Sequence, residues 1–257
     1  MTRATLTAVP HFPEVGPGTD LPAVIVRALR AADLAPVSGD ALVVAQKIVS
    51  KAEGSVVDLT AVRPGPDALR LARTIDKDPR LVEVVLREST GVVRAQHGVL
   101  ITEHRLGFVC ANAGVDHSNV GLGPDVVSLL PRDPDASARA IREALRAAFD
   151  VSVAVLINDS HGRPHREGAV GVCIGAAGLS PVVSLVGRPD LYGYTMRTST
   201  EAVADELAAA ATLLQGQCAE GTPVVLLHGL ALAAPDANTE EAGAAPLRRD
   251  PARDLFR

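Results

Sequence analysis

The run Val-Ser-Val-Ala-Val-Leu-Ile at residues 151–157 decides how the chain is read. It is apolar, rich in β-branched residues and free of charge, which suits a strand buried on both faces. Just before it, residues 135–149 carry Ile141, Ala144, Leu145 and Ala148 on one helical stripe. Arg139, Arg142, Glu143 and Arg146 fall on the opposite side, so this is an amphipathic helix. A surface helix feeding a buried strand predicts an α/β protein of the α+β type.

The pattern repeats outward from there. Downstream, residues 170–174 and 181–186 read as strands, 200–214 as a helix and 223–227 as a last strand. The helix is amphipathic through Val203, Leu207, Ala211 and Leu214. Upstream, residues 5–9 suit a strand and 10–18 a loop constrained by proline and glycine. Asp20 caps a helix predicted over 21–32, with Pro22 in its first turn. Residues 41–50 read as a buried strand, and 67–87 as helix broken near Asp78-Pro79. Residues 91–110 read as strands turned at His97-Gly98 and at Arg105-Leu106-Gly107. From about 234 the sequence is polar, rich in Pro and Ala, and expected to pack loosely. No repeat or linker interrupts the pattern, so residues 1–257 read as one domain of mixed sheets with flanking helices.

Composition narrows the function. Aromatic residues make up 2% of the chain, with no Trp, and the net charge is −5. Base stacking and phosphate-backbone binding are both poorly served by that surface, so no nucleic-acid partner is expected. No stretch approaches the ~20 apolar residues of a membrane span, and the N-terminus lacks the apolar run of a signal peptide. Cys110, Cys173 and Cys218 are scattered and form no CxxC. That usage predicts a cytoplasmic protein without disulfides.

Familiar nucleotide signatures are missing. There is no P-loop, and the glycines of Gly168, Gly171, Gly175 and Gly178 lack the GxGxxG spacing of a Rossmann turn. His161 and His165 are separated by four positions, but Gly162 and Pro164 between them disfavour a helix presenting both to zinc. Three polar clusters stand out instead. Residues 39–54, GDALVVAQKIVSKAEG, end an apolar run with Gln46, Lys47 and Lys51. Such lysines neutralise phosphate, or else line a solvated face. Residues 111–119, ANAGVDHSN, suit a ligand loop or an Asx-rich turn. Residues 157–166, INDSHGRPHR, place Asp159 and Ser160 after the most apolar strand. There a carboxylate suits a hard cation, and Arg163 or Arg166 suits a substrate carboxylate, unless the loop is merely solvated. Together the clusters have the composition of a metal-assisted phosphoryl-transfer site.

These stretches also resemble the coenzyme F420-0:L-glutamate ligase family. The similarity rests on GDALVVAQKIVSKAEG, CANAGVDHSNV and INDSHGRPHREGAVGVCIGAAG, with GRPDLYGY and VADELAAAATLLQGQ following in order. The resemblance implies an intertwined homodimer that uses GTP to add L-glutamate to the lactyl carboxylate of coenzyme F420-0. It implies two divalent ions, Mg²⁺ or Mn²⁺, with K⁺ as a further candidate. By the same resemblance Asp116, Asp159, Ser160 and Gln217 are metal-contacting positions. GTP contacts fall on Phe12, Pro13, Glu14 and Val15, on Gln46, Lys47, Lys51 and Asn119, and on a loop. That loop comprises Gln215, Gly216, Gln217, Cys218, Ala219, Glu220, Gly221 and Thr222. Two positions depart from the family pattern: Asn158 replaces a usual Thr and His165 a usual Trp or Phe. Lys47, Lys51, Arg163 and Arg166 are the candidate catalytic cations. A metal-dependent nucleotide phosphohydrolase would use the same carboxylates, and is the alternative activity.

Overall fold

The structure is a computed structural model that describes residues 3–230, 232 and 242–254. In its first half, β1 (Thr5–Ala8) leads to α1 (Leu21–Ala31), β2 (Ala41–Ala45), α2 (Gln46–Glu53) and β3 (Val56–Asp58). Then come α3 (Pro66–Ile75), α4 (Pro79–Arg87), β4 (Ser89–Gln96), β5 (Val99–His104), β6 (Val109–Ala111) and β7 (Val126–Ser128). The second half holds α5 (Pro134–Phe149), β8 (Ala154–Arg163), β9 (Arg166–Ala177), β10 (Val183–Ser184) and β11 (Thr200–Glu201). It closes with α6 (Val203–Gln215) and β12 (Val224–His228).

The central sheet has the order β1-β12-β2-β8-β9. Only β2 and β8 run parallel; the other neighbours are antiparallel. Alternation along the strands divides their side chains between two cores. Leu42, Val44, Val155 and Ile157 pack with α1, α2 and α5 on one face. Ala41, Val43, Ala154 and Leu156 pack with α6 on the other. A third cluster joins α3 and α4 to Leu59, Leu100 and Val127, beside the sheets β4-β5-β6 and β3-β7. The architecture is therefore mixed α/β, as the sequence predicts.

Local chemistry sets the element ends. Asp133 caps α5 by accepting from the Ala136 amide at 2.8 Å, and Asp150 ends it in the left-handed region. Asp76 ends α3 in the same way, and the Asp78 carboxylate opens α4. The predicted break at Asp78-Pro79 thus has a capping residue at its centre.

Two strand readings are corrected. The strand expected over 41–50 stops at Ala45, and α2 begins at Gln46. Beyond Ala45 the buried residues are Gln46, Val49 and Ser50, a helical spacing, and Gly54 ends the helix at φ 68°. The polar stretch 158–163 is strand rather than loop, because β8 continues to Arg163. It turns at Pro164-His165 and returns as β9. The strand expected at 181–186 shortens to β10.

The glycine-rich run lies in β9, where it serves helix packing. A Cβ on Gly171 would overlap Thr212 Oγ1 and the Ala208 carbonyl of α6. A Cβ on Gly175 would overlap Pro134 of α5. A register shift between Ile157 and Asn158 accompanies the change of face between those two glycines.

Of the tail from about 234, residues 233–241 lie outside the described part. Beyond them the chain is fastened: Ala244 is buried, its amide donates to Asp135 at 2.9 Å, and Arg248 donates to the Leu106 carbonyl at 2.6 Å. Among the described residues no helix is long and apolar enough to cross a membrane.

Candidate functional site

A cleft of about 480 Å³ opens where β2 and β8 end together. The start of α2, the loop around Asp116, and the segment after α6 form its walls. It forms there because β2 hands over to α2 at Ala45, directly beside Asn158 of β8. No side chain caps the α2 N-terminus, which lies on the cleft wall. The positive end of a helix dipole is thus presented where an anion would be stabilised.

Lys47 is the best-anchored cation. Its Nζ lies 2.8 Å from Asp116 Oδ2 and 2.9 Å from Ser128 Oγ. Asp116 is itself pinned by a two-way backbone bridge to Ser128, with N···O distances of 3.1 and 2.9 Å. Ser118 donates its amide to Asp116 Oδ1 at 3.0 Å, and its hydroxyl to Oδ2. Burial pushes the Asp116 carboxyl upward, but the bonds from Lys47 and Ser118 outweigh it. The net position is below the usual carboxylate range. Lys51, one turn along α2, lines the same cleft and forms no ion pair among the described residues.

Asp159 faces Asp116's side of the cleft from β8. Gln46 Nε2 lies 3.4 Å from its Oδ1, and His161 Nε2 lies 3.1 Å from its Oδ2. Gln46 is in turn held by the Ser50 hydroxyl, 2.9 Å away. Asn158, its neighbour on the strand, is turned to the opposite face. It donates to Thr212 Oγ1 at 3.1 Å and to Gln215 Oε1 at 2.7 Å. The Asn158 side chain therefore ties β8 to α6.

The loop after α6 completes the wall. Gly216 takes φ 68°, and a Cβ there would run into the Glu220 side chain. Glu220 accepts from the Cys218 amide at 2.8 Å, which helps hold its carboxyl below the usual range. Asn119 Nδ2 reaches across to the Cys218 carbonyl at 2.9 Å, joining this loop to that of Asp116.

The cleft brings together Glu14, Gln46, Lys47, Lys51, Asp116, Asn119, Asp159 and Ser160. From the loop it gathers Gln215, Gly216, Gln217, Cys218, Ala219, Gly221 and Thr222. Other predicted residues stand elsewhere. Phe12 packs on the first core, Val15 is buried in it, and Pro13 lines a separate crevice with Pro10 and His11. Glu220 braces its own loop. Arg163 and Arg166 pair at the tip of the β8–β9 hairpin, outside the cleft lining, with His165 in the turn. Sequence reasoning missed Ser128 and His161 as supports of the two aspartates. Ser128 carried no signal, lying 81 positions from Lys47; the alternation Asp159-x-His161 on one strand face was a usable one.

Among the described residues no three His, Cys, Asp or Glu side chains converge as a metal cage. Of the oxygen donors on the cleft, the predicted metal positions supply the Asp116 and Asp159 carboxylates, the Ser160 hydroxyl and the Gln217 amide, and Glu14 adds a third carboxylate. That all-oxygen set fits a hard divalent ion whose remaining ligands are water and phosphate, the habit of Mg²⁺.

Fold and cleft define an α/β protein that sets lysines and a bare helix end against paired carboxylates, without a P-loop. The sequence model described as F420-0:gamma-glutamyl ligase matches residues 11–229, and the chain belongs to that family. It is 46% identical over 254 residues to the coenzyme F420:L-glutamate ligase of Methanothermobacter thermautotrophicus, covering 98% of each chain. It is 45% identical to the enzyme of that name from Methanopyrus kandleri, over 97% of this chain and 96% of the relative. The Methanocaldococcus jannaschii enzyme of the same name is 42% identical over 74% of this chain and 76% of its own.

Proposed function

We propose that this protein joins L-glutamate to the lactyl carboxylate of coenzyme F420-0, with GTP as phosphoryl donor. The supporting observation is the cleft of a family member in which Lys47, Lys51 and the α2 N-terminus face Asp116 and Asp159. A carboxylate does not condense with an amine at neutral pH without activation. In the first step a carboxylate oxygen of F420-0 attacks the γ-phosphorus, and GDP leaves. In the second the glutamate nitrogen attacks the acyl carbon: the C–N bond forms, the C–O bond to phosphate breaks, and phosphate and a proton are released.

Lys47 and Lys51 stabilise the charge that develops on the transferred group, and the α2 N-terminus adds its dipole. Asn119 and the 215–222 loop shape the nucleotide wall. Asp116, Asp159, Ser160 and Gln217 would hold Mg²⁺ or Mn²⁺, two ions in all, with K⁺ as a further candidate. Such ions draw charge from the phosphates and align donor with acceptor. Addition of further γ-linked glutamates, and assembly as a homodimer, belong to the same proposal. The exposed side chains of Leu191 and Tyr192, 93% and 92% accessible, support the assembly.

The test is mass spectrometry of F420-0 incubated with the protein, GTP, Mn²⁺ and L-glutamate. A glutamylated product that requires all four components is expected. Rapid GTP cleavage without F420-0, and no glutamylated product, would establish the phosphohydrolase instead.

A further inference from the structure

A second cavity of about 230 Å³ adjoins the cleft. It lies between the β5–β6 turn at Phe108, the outer edge of β9 at Cys173, the start of α6 at Asp205, and Arg248 and Arg249. His161 stands between the two spaces. Its ring lines this cavity, and its Nε2 lies 3.1 Å from the Asp159 carboxylate that lines the cleft. Phe108 packs edge-on against the ring with centroids 6.3 Å apart.

The charged groups facing the cavity are Asp205 and Asp254, with Arg248 and Arg249. Asp205 Oδ1 accepts from the Cys173 amide at 2.9 Å, and the carboxylate forms no ion pair among the described residues. Burial raises its carboxyl above the usual range, against the pull of the Cys173 bond and of His161. A carboxylate in that state is stabilised by an incoming cation. Opposite it, Arg248 uses one N–H on the Leu106 carbonyl. Arg249 stands 3.9 Å from Asp254 and is 58% exposed. Two half-buried carboxylates and two guanidinium groups thus line the cavity. Asp205 suits an ammonium, Arg248 a carboxylate, and Arg249, which meets Asp254 only at 3.9 Å, a second carboxylate, the groups of an α-amino dicarboxylate.

We propose that this cavity receives the amino acid to be ligated, an α-amino dicarboxylate, with its ammonium at Asp205 and its carboxylates at Arg248 and Arg249. The inference rests on the ligase reading of the cleft, which requires a nucleophilic amine beside the phosphate end of the nucleotide. A separate cavity that shares His161 with Asp159 delivers the amine without displacing GTP.

The test is calorimetric titration of the full chain with L-glutamate, alongside the glutamate KM in the ligation assay. Asp205→Asn keeps an acceptor for the Cys173 amide, and Arg249→Gln alters a surface side chain. Each should weaken glutamate binding roughly tenfold or more, as loss of a charge-assisted contact does. GTP affinity and melting temperature should stay at wild-type values. Should Asp205→Asn fail to fold, Arg249→Gln carries the test alone. Unchanged glutamate affinity in a folded variant, or no glutamate binding by the wild type, overturns the cavity assignment. Glutamate binding that the variants lose, with no glutamylated product from the wild type, upholds the cavity and removes the ligase reading.

Discussion

Asp159 is held from both sides, by Gln46 at one oxygen and by His161 at the other. Asparagine keeps the shape and much of the hydrogen bonding but loses the charge that a hard cation needs. Asp159→Asn should therefore fold normally while turnover falls by roughly a hundredfold or more, several kcal/mol of lost transition-state stabilisation. Steady-state kinetics at limiting Mn²⁺, with circular dichroism as the fold control, checks this; near-wild-type turnover would remove Asp159 from the site. Lys51 lines the cleft without an ion-pair partner among the described residues, so its charge is available to phosphate. Lys51→Ala should weaken GTP binding by about 1–3 kcal/mol in a calorimetric titration. An unchanged affinity would place Lys51 on a solvated face. Residue types and order made the two aspartates and two lysines legible in the sequence. Their supports were not, because Ser128 meets Lys47 only once β7 lies beside α2. The place of Arg163 and Arg166, at the hairpin tip and outside the cleft lining, was not legible for a related reason. Their type suits a carboxylate, but position on a hairpin tip depends on where β8 ends.

At the level of elements, periodicity gave helices and buried strands well, and failed where the period changes inside an apolar run. Residues 41–50 are such a case, since Ile48 and Val49 continue the hydrophobicity of β2 while already belonging to α2. The glycines of β9 were legible as unusual and illegible in purpose, because their partners on α5 and α6 are distant in sequence. Gly171→Ala forces a methyl group onto the Ala208 carbonyl and Thr212. The strand or the helix must shift, so the variant should lose about 1–3 kcal/mol of stability, read as a lower midpoint in urea. A midpoint equal to wild type would mean that α6 does not seat against β9 there. Glu88, after α4, supplies a pH-dependent contribution. The His104 imidazole, 3.5 Å away, holds its carboxyl below the ordinary 4.5 against the upward push of burial, with Arg105 adding to the effect. A depressed folded value means the stabilisation is complete above the unfolded value and is lost as pH falls through the folded one. The wild type should therefore melt above Glu88→Gln at pH 7, and the gap should shrink as pH falls below the ordinary 4.5. A gap independent of pH would contradict that assignment.

Across the whole molecule, the mixed α/β architecture followed from alternating periodicities, and the cleft from the meeting of the α2 start, the end of β8 and two loops far apart in sequence. The 215–222 loop and the Asp116 loop are brought together, through Asn119 and the Cys218 carbonyl, by packing that no local pattern encodes. Leu191 and Tyr192 project from the segment between β10 and β11, a cost for an isolated chain in water. Sedimentation equilibrium should return a dimer mass, and Tyr192→Asp should shift it toward monomer; a wild-type monomer at micromolar concentration would refute the assembly. The central claim is that the cleft activates a carboxylate by phosphoryl transfer before the amine arrives. Oxygen-18 placed in the F420-0 carboxylate tests it most directly, with phosphate and product analysed by mass spectrometry after GTP, Mn²⁺ and glutamate are added. The label should appear in the released phosphate in step with amide formation, because the bridging oxygen departs with phosphorus when nitrogen attacks carbon. Unlabelled phosphate accompanying normal amide product would contradict the account.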